Sequence, residues 1–269
     1  MCLITFAYKY HPEYELIIAG NRDEFFARPS QSAFFWGKNG SVCAGRDEEQ
    51  GGTWLGVNKA GCVSAVTNYR KPDQNDYPLS RGHLVSDFLD SNTSSTDYVK
   101  KLVIDHYAGF NLVLKDRQGM HYLSNRLGGQ AGSDPDNKRL IELKPGIYGL
   151  SNHLLDTPWP KVEKSKRGFT RIIDSAIQAG KEIPAIWAEI TTLFTDHSPA
   201  PEHQLPATGV GKEIELLLSP IFIKGQHYGT RATTLVAIKH GGEVTFYEQS
   251  YLPEGRQGQF TAHHFTREA

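Results

Sequence analysis

Cysteine is scarce in this chain. Only Cys2, Cys43 and Cys62 occur among 269 residues. An odd count without paired spacing excludes a disulfide framework and a cysteine-rich zinc site, and points to a reducing compartment. Neither sign of charge is in excess: the net charge is −1, so nothing steers the chain toward nucleic acid or a membrane surface. No apolar run approaches the roughly 18 residues of a membrane span. Acidic and aromatic residues follow the first apolar run at once, which is unlike a secretory signal peptide. A soluble, cytoplasmic protein is expected. The local signatures of familiar enzymes are missing too. There is no Gly-x-Ser-x-Gly elbow, no His-Glu-x-x-His and no phosphate loop. The histidines are scattered, so no Cys–His pair stands out and no metal site is expected. Nothing in the pattern sets an oligomeric state.

What is present starts at the second residue. Cys2 opens an apolar run, and its small side chain suits enzymatic removal of Met1. Removal would leave a thiol and a free α-amine on one residue. Their ordinary pKa values, about 8.5 and about 7.7–8.0, let them exchange a proton near neutral pH. The plain alternative is a small buried hydrophobe at the start of a core strand.

Residues 2–9 and 14–20 flank Tyr10-His11-Pro12-Glu13 and read as a hairpin. Antiparallel pairing brings the following Asn21-Arg22-Asp23-Glu24 back beside Cys2. Residues 25–50 read as an irregular covering loop anchored by Phe25, Phe26, Phe34, Phe35 and Trp36. Gly51-Gly52-Thr53-Trp54-Leu55-Gly56 and Thr67-Asn68-Tyr69-Arg70 bound a strand, turn and strand. The glycine pair there marks a close backbone approach. Ser80-Arg81-Gly82 leads into a short helix over 83–89, and a second helix is read over 96–106. Hairpin patterns cover 110–124 and 139–151, the latter ending at Gly149-Leu150-Ser151-Asn152. Pro158-Trp159-Pro160 opens a long helix to residue 179, with Lys161, Lys164, Lys166, Arg167 and Arg171 on a solvated basic side. Another helix spans 184–194. Leu205-Pro206-Ala207-Thr208-Gly209 matches a sortase sorting pattern by chance, since no apolar anchor or basic tail follows it. Strands return at 228–238 and 244–251, and 253–269 reads as a loose C-terminal segment. Strands, helices, then strands suit a single α+β domain over 1–269 with helices on the outer faces of two antiparallel sheets.

Polar residues recur at strand ends: 21–24, 68–70, 151–152 and 230–231. Carboxamides can donate to an oxyanion, and guanidinium groups can hold a carboxylate or favour a thiolate. Together with Gly229-Thr230-Arg231-Ala232-Thr233-Thr234 and Pro158-Trp159, these motifs resemble the NRDE family of transport-and-Golgi-organisation proteins and their bacterial relatives. The resemblance runs from Met1 to about Tyr251. More distantly the chain is similar to cysteine N-terminal nucleophile (Ntn) hydrolases such as penicillin V acylase and bile salt hydrolase. That resemblance implies an Ntn-hydrolase-like four-layer αββα sandwich. It also implies a cysteine amidohydrolase acting on a non-peptide C–N bond of a small molecule, without a cofactor. It carries over Cys2 as nucleophile, Asn68 and Asn152 as oxyanion-side carboxamides and Arg231 as the late arginine near the thiol. The hydrolases place an arginine and an aspartate three residues apart after the second strand. Here Arg22 and Asp23 are adjacent, and a gap-free alignment would put Asn21 and Glu24 in those roles. Asp23 is then expected to orient the amine, and Arg231, with Arg22 beside it, to favour the thiolate, provided a bulge or turn lets Arg22 and Asp23 converge. The family resemblance also implies an alternative, a non-enzymatic carrier in haem, lipid or acyl trafficking; the aromatics of 25–36 and the scattered histidines, His263, His264 or another, are then expected to hold a flat or greasy ligand.

Overall fold

A computed structural model describes residues 2–91, 93–127 and 140–268. Met1, whose removal the nucleophile role requires, lies outside them. In chain order β1 (Cys2–Tyr8) and β2 (Tyr14–Phe25) form the opening hairpin. Then come β3 (Ser30–Trp36), β4 (Val42–Asp47), β5 (Leu55–Asn58) and β6 (Val63–Asn68). The helices α1 (Arg81–Ser91) and α2 (Ser95–Lys101) precede β7 (Phe110–Lys115), β8 (Met120–Ser124), β9 (Ile141–Glu142) and β10 (Gly146–Leu150). Three more helices, α3 (Pro160–Ala179), α4 (Trp187–Phe194) and α5 (Lys212–Leu217), lead to β11 (Tyr228–Lys239), β12 (Glu243–Leu252) and β13 (Arg256–Thr266). One sheet has the order β10-β1-β2-β11-β12-β13 and the other β3-β4-β5-β6-β7-β8-β9, every pairing being antiparallel.

Strand parity builds the layers. In β1 the even residues Cys2, Ile4, Phe6 and Tyr8 face the second sheet, meeting Cys43, Val57, Val63, Ala65 and Val113. The odd residues Leu3 and Ala7, with Ile17, Ala19, Leu235 and Ala237, face α3 and α4 through Val162, Phe169, Ile173 and Ile190. The outer face of the other sheet (Val42, Ala44, Leu112, Leu114) is covered by Leu84, Val85, Phe88 and Leu89 of α1 and Val99 of α2. The result is the expected four-layer αββα sandwich. Burying Phe169 and Phe246 completely contributes about 2–3 kcal/mol each. α3 starts with Pro160 in its first turn and stops at Gly180 in the left-handed region. Its spacing of four also turns Lys161 inward with Ser165 and Phe169, so this lysine is buried and not part of a solvated basic side.

Two segments depart from the sequence reading. Residues 25–50 are not an irregular cover: they contain the edge hairpin of β3 and β4. A register break between Gln31 and Phe34 interrupts the alternation there, and Phe35 is partly exposed while Phe34 packs on the outer cluster. The 253–269 segment is not loose either. After a short turn at Pro253–Gly255, β13 pairs with β12 along nearly its whole length. Its side chains are mostly exposed, so backbone hydrogen bonding holds it and no apolar periodicity announces it. The helix read over 96–106 ends at Lys101 and is followed by a single 3-10 turn, Ile104–His106.

Candidate active site

Cys2 is the first residue of β1 and pairs with Arg22. On its other side, β10 begins to pair only at Ile4. β2 runs on past Cys2 through Asp23, Glu24 and Phe25, which pair with β11 alone. Both faces of β2 therefore open at this end. That resolves how adjacent residues can share one site. Arg22 points between the sheets and donates Nη2 to Asp47 Oδ2 at 3.0 Å. Asp23 points to the helical side, where it accepts from Thr230 Oγ1 at 2.7 Å. No bulge in β2 is needed; the bulge lies in β11, where Arg231 is the extra residue between Thr230 and Ala232.

A cavity of about 480 Å³ opens here, lined by Cys2, Arg22, Asp23, Glu24, Asn68 and Arg231 together with Trp54, Arg81 and Glu248. Asn21 is elsewhere. It is fully buried, donating to the carbonyls of Phe194 and Ile221 and accepting from Thr233, so it ties β2 to the helical layer. Asn152 is a strap: its Nδ2 donates to Asn68 O at 3.1 Å, and its carbonyl accepts the Arg70 N–H at 2.7 Å. Asn152 does not line the cavity. Asn68 does, and among the described residues its carboxamide makes no hydrogen bond. Ser151 Oγ donates to Cys2 O at 3.1 Å and Thr67 Oγ1 to Ser151 O, fixing the head of β1 against β10 and β6. Arg231 lines the cavity with its guanidinium already engaged. Its guanidinium donates to the carbonyls of Phe25 and Arg28 and to Ser30 Oγ, and lies 5.1 Å from the Phe26 ring.

Burial pushes the Cys2 thiol up, with Asp23 adding to the effect and Arg22 opposing it. Cys2 is therefore a thiol at rest, and attack needs a base. Burial also pushes the Asp23 carboxyl up, against the pull of Lys161 and the Thr230 hydrogen bond. Lys161 donates to Leu218 O, and burial brings its ammonium down to about 8. Behind Asn152, the buried Arg70 pairs with Glu215, which also accepts from Thr208. The 205–209 segment is thus a pinned structural loop.

The sequence reading did not find Arg81, the Arg22–Asp47–Arg28 cluster or the inward Lys161. A signal for Arg81 existed. The close approach expected at Gly52 is made to Gly82: a Cβ on Gly52 would lie 2.4 Å from the Gly82 carbonyl carbon. His263 and His264 are neighbours on β13; the first contacts Ala33 O, the second Thr245 and Tyr247. As neighbours on one strand they point to opposite faces.

The fold and site define an αββα protein with a buried thiol heading its first strand, opposite an arginine, at a cavity rich in charged side chains. The family model for Transport and Golgi organisation 2 matches residues 1–253. The chain is 36% identical to the Transport and Golgi organization protein 2 homolog of Bos taurus, over 98% of this chain and 99% of that one. Its identity to the Homo sapiens homolog is 35%, with 94% of each covered. The chain belongs to the Transport and Golgi organisation 2 family. Among solved structures it is similar to a Caenorhabditis elegans N-acylethanolamine-hydrolyzing acid amidase ortholog, with a TM-score of 0.46 and 9% identity over 87% of this chain and 92% of that one. No helix among the described residues is long and apolar enough to cross a membrane.

Proposed function

We propose that this chain is a cysteine amidohydrolase acting on a non-peptide C–N bond of a small molecule. The observation that carries the proposal is Cys2 at the head of β1, lining the cavity directly opposite Arg22, with the uncommitted Asn68 carboxamide beside it. After removal of Met1 the α-amine takes the thiol proton as sulfur attacks the carbonyl carbon. Asn68 donates to the oxyanion that forms. Asp23, one residue past the Cys2–Arg22 pair, holds the resulting ammonium in place. The C–N bond breaks as that ammonium returns its proton to the leaving amine, giving a thioester. Water then attacks the thioester, the amine takes the water proton, and the C–S bond breaks to release the carboxylic acid and restore the thiol. Arg22 favours the thiolate during attack, while Arg231 shapes the wall through its backbone contacts.

Intact and peptide mass spectrometry after incubation with an electrophilic acyl ester tests this. Protein lacking Met1 is expected to gain the acyl mass at Cys2, and the Cys2→Ala variant to gain none. Equal labelling of Cys2→Ala, or acylation unaffected by retained Met1, would overturn the mechanism. An amide that binds, is not cleaved and leaves Cys2 unmodified identifies a carrier of acyl ligands instead.

A further inference from the structure

Five arginines line the cavity, and four are engaged. Arg22 and Arg28 converge on Asp47, and Arg28 also reaches Glu49. Arg46 lies over the Trp36 ring and donates to Gly51 O. Arg231 is held by two carbonyls and Ser30. Arg81 differs. Among the described residues it makes one hydrogen bond, Nη1 to Gly109 O at 3.1 Å, and no ion pair. A guanidinium has five N–H donors, so most of this one's capacity is unused. Glu24 acts on it only at a distance. A half-buried cation without a direct ion pair costs stability, and a ligand anion would offset that cost.

Its position is built into the chain. Gly52 lets the start of α1 pack against the loop before β5, and Thr53 N–H donates to Gly82 O at 3.3 Å. That contact sets Arg81 and Trp54 along the same cavity as Cys2. The carboxyl groups around it do not balance the arginines. Asp47 is shared by two of them, and Glu248 is occupied by Ala33 N–H and Thr234. Burial also pushes Glu248 toward the neutral form.

We infer that Arg81 anchors a carboxylate of the substrate, so that the chain acts on amides whose acyl or amine part carries a carboxylate. The hydrolytic half of this rests on the proposed function; the binding half does not. The planar guanidinium fork matches a carboxylate. Glu24 and Asp47 on the same wall disfavour a dianionic phosphate.

Two probes of equal size test it. Cys2 thiolate displaces iodide from iodoacetate or iodoacetamide, forming C–S as C–I breaks, and peptide mass spectrometry reads each rate at Cys2. The parent is expected to favour iodoacetate relative to a free cysteine peptide. Arg81→Gln is expected to lower the iodoacetate-to-iodoacetamide rate ratio about tenfold. Arg81→Lys, which keeps a cation and a donor for Gly109 O, is expected to lower it less, and stands in if Arg81→Gln fails to fold. The second measurement needs no reaction and decides if Cys2 is inert to both reagents. Octanoate, octanol and octyl phosphate are titrated into the Cys2→Ala variant and followed by tryptophan fluorescence. Octanoate is expected to bind best, about tenfold more weakly once Arg81→Gln is added. An unchanged rate ratio, octanol binding as tightly as octanoate, or octyl phosphate binding more tightly overturns the inference. Octanoate binding that depends on Arg81 in a protein that cleaves no amide overturns the hydrolase instead and leaves the anchor standing.

Discussion

Cys2 and Cys43 lie on the inner faces of opposite sheets, in one cluster, and burial pushes both thiols up, to about 12 at Cys43. Their surroundings are unlike. Cys43 has a paired residue on each side, Phe35 and Val57. The charge that acts on it, Glu248, is hydrogen-bonded to Ala33 and Thr234. Among the described residues Cys2 has a strand partner on one side only, and Asp23, Arg22 and Glu24 act on it from β2. The difference follows from place along the strand. A thiol in mid-strand is sealed by its neighbours. At a strand's head, the longer neighbouring strand supplies charged side chains from both its faces. Burial is common to the two thiols, so burial does not make the site; the early end of β1 does.

If the Cys2 region is held by buried charge and the Cys43 region by packing, removing one member from each should cost very different amounts. Glu215→Ala leaves the buried Arg70 guanidinium without its carboxylate, and side chains of the pair are only 4% and 3% exposed. The expected loss is about 3–5 kcal/mol, read as a fall in Tm of roughly 10 °C. A fall under about 3 °C would mean the pair is not what fixes the Asn152 strap. Cys43→Ala removes one sulfur from packed surroundings and is expected to cost about 1 kcal/mol, leaving the alkylation rate at Cys2 unchanged. A large change at Cys2 would show that the two thiols are coupled through the inter-sheet core, against the contrast drawn from their pairing.

The same contrast explains what was legible in the sequence. Strands buried on both faces, such as β1, β7 and β11, announce themselves as short, nearly continuous apolar runs bounded by Gly- or Pro-bearing turns. The layering follows from their order. β3 and β13 do not announce themselves. One carries a register break, and the other is an edge strand with mostly exposed side chains, held by pairing that side-chain pattern does not encode. In the site, Cys2, Arg22, Asp23 and Asn68 could be placed because each sits at the end of a readable strand. The roles of Asn152 and Arg231 could not, since both are decided by hydrogen bonds to distant backbone. Arg81 was hidden because it comes from a loop and helix start docked by one glycine contact between residues 52 and 82.

The smallest expected effect separates the two causes acting on the Cys2 thiol. The thiolate is the charged form, so burial and the nearby Asp23 carboxylate both delay it to higher pH. The rate of iodoacetamide alkylation at Cys2 is therefore expected to keep rising above the ordinary thiol value of about 8.5 and to level off later than for a free cysteine. Asp23→Asn removes the negative charge and leaves the burial. Its midpoint is expected to move down by less than about one unit and still to lie above that of a free thiol. Amide turnover should fall in the same variant, because the α-ammonium loses the carboxylate that orients it. Easier thiolate formation with slower turnover is a combination that mere loosening of the site does not produce. An unchanged midpoint would remove Asp23 from the surroundings of Cys2. A midpoint that reached the free-thiol value would show that charge, and not burial, holds the thiol up.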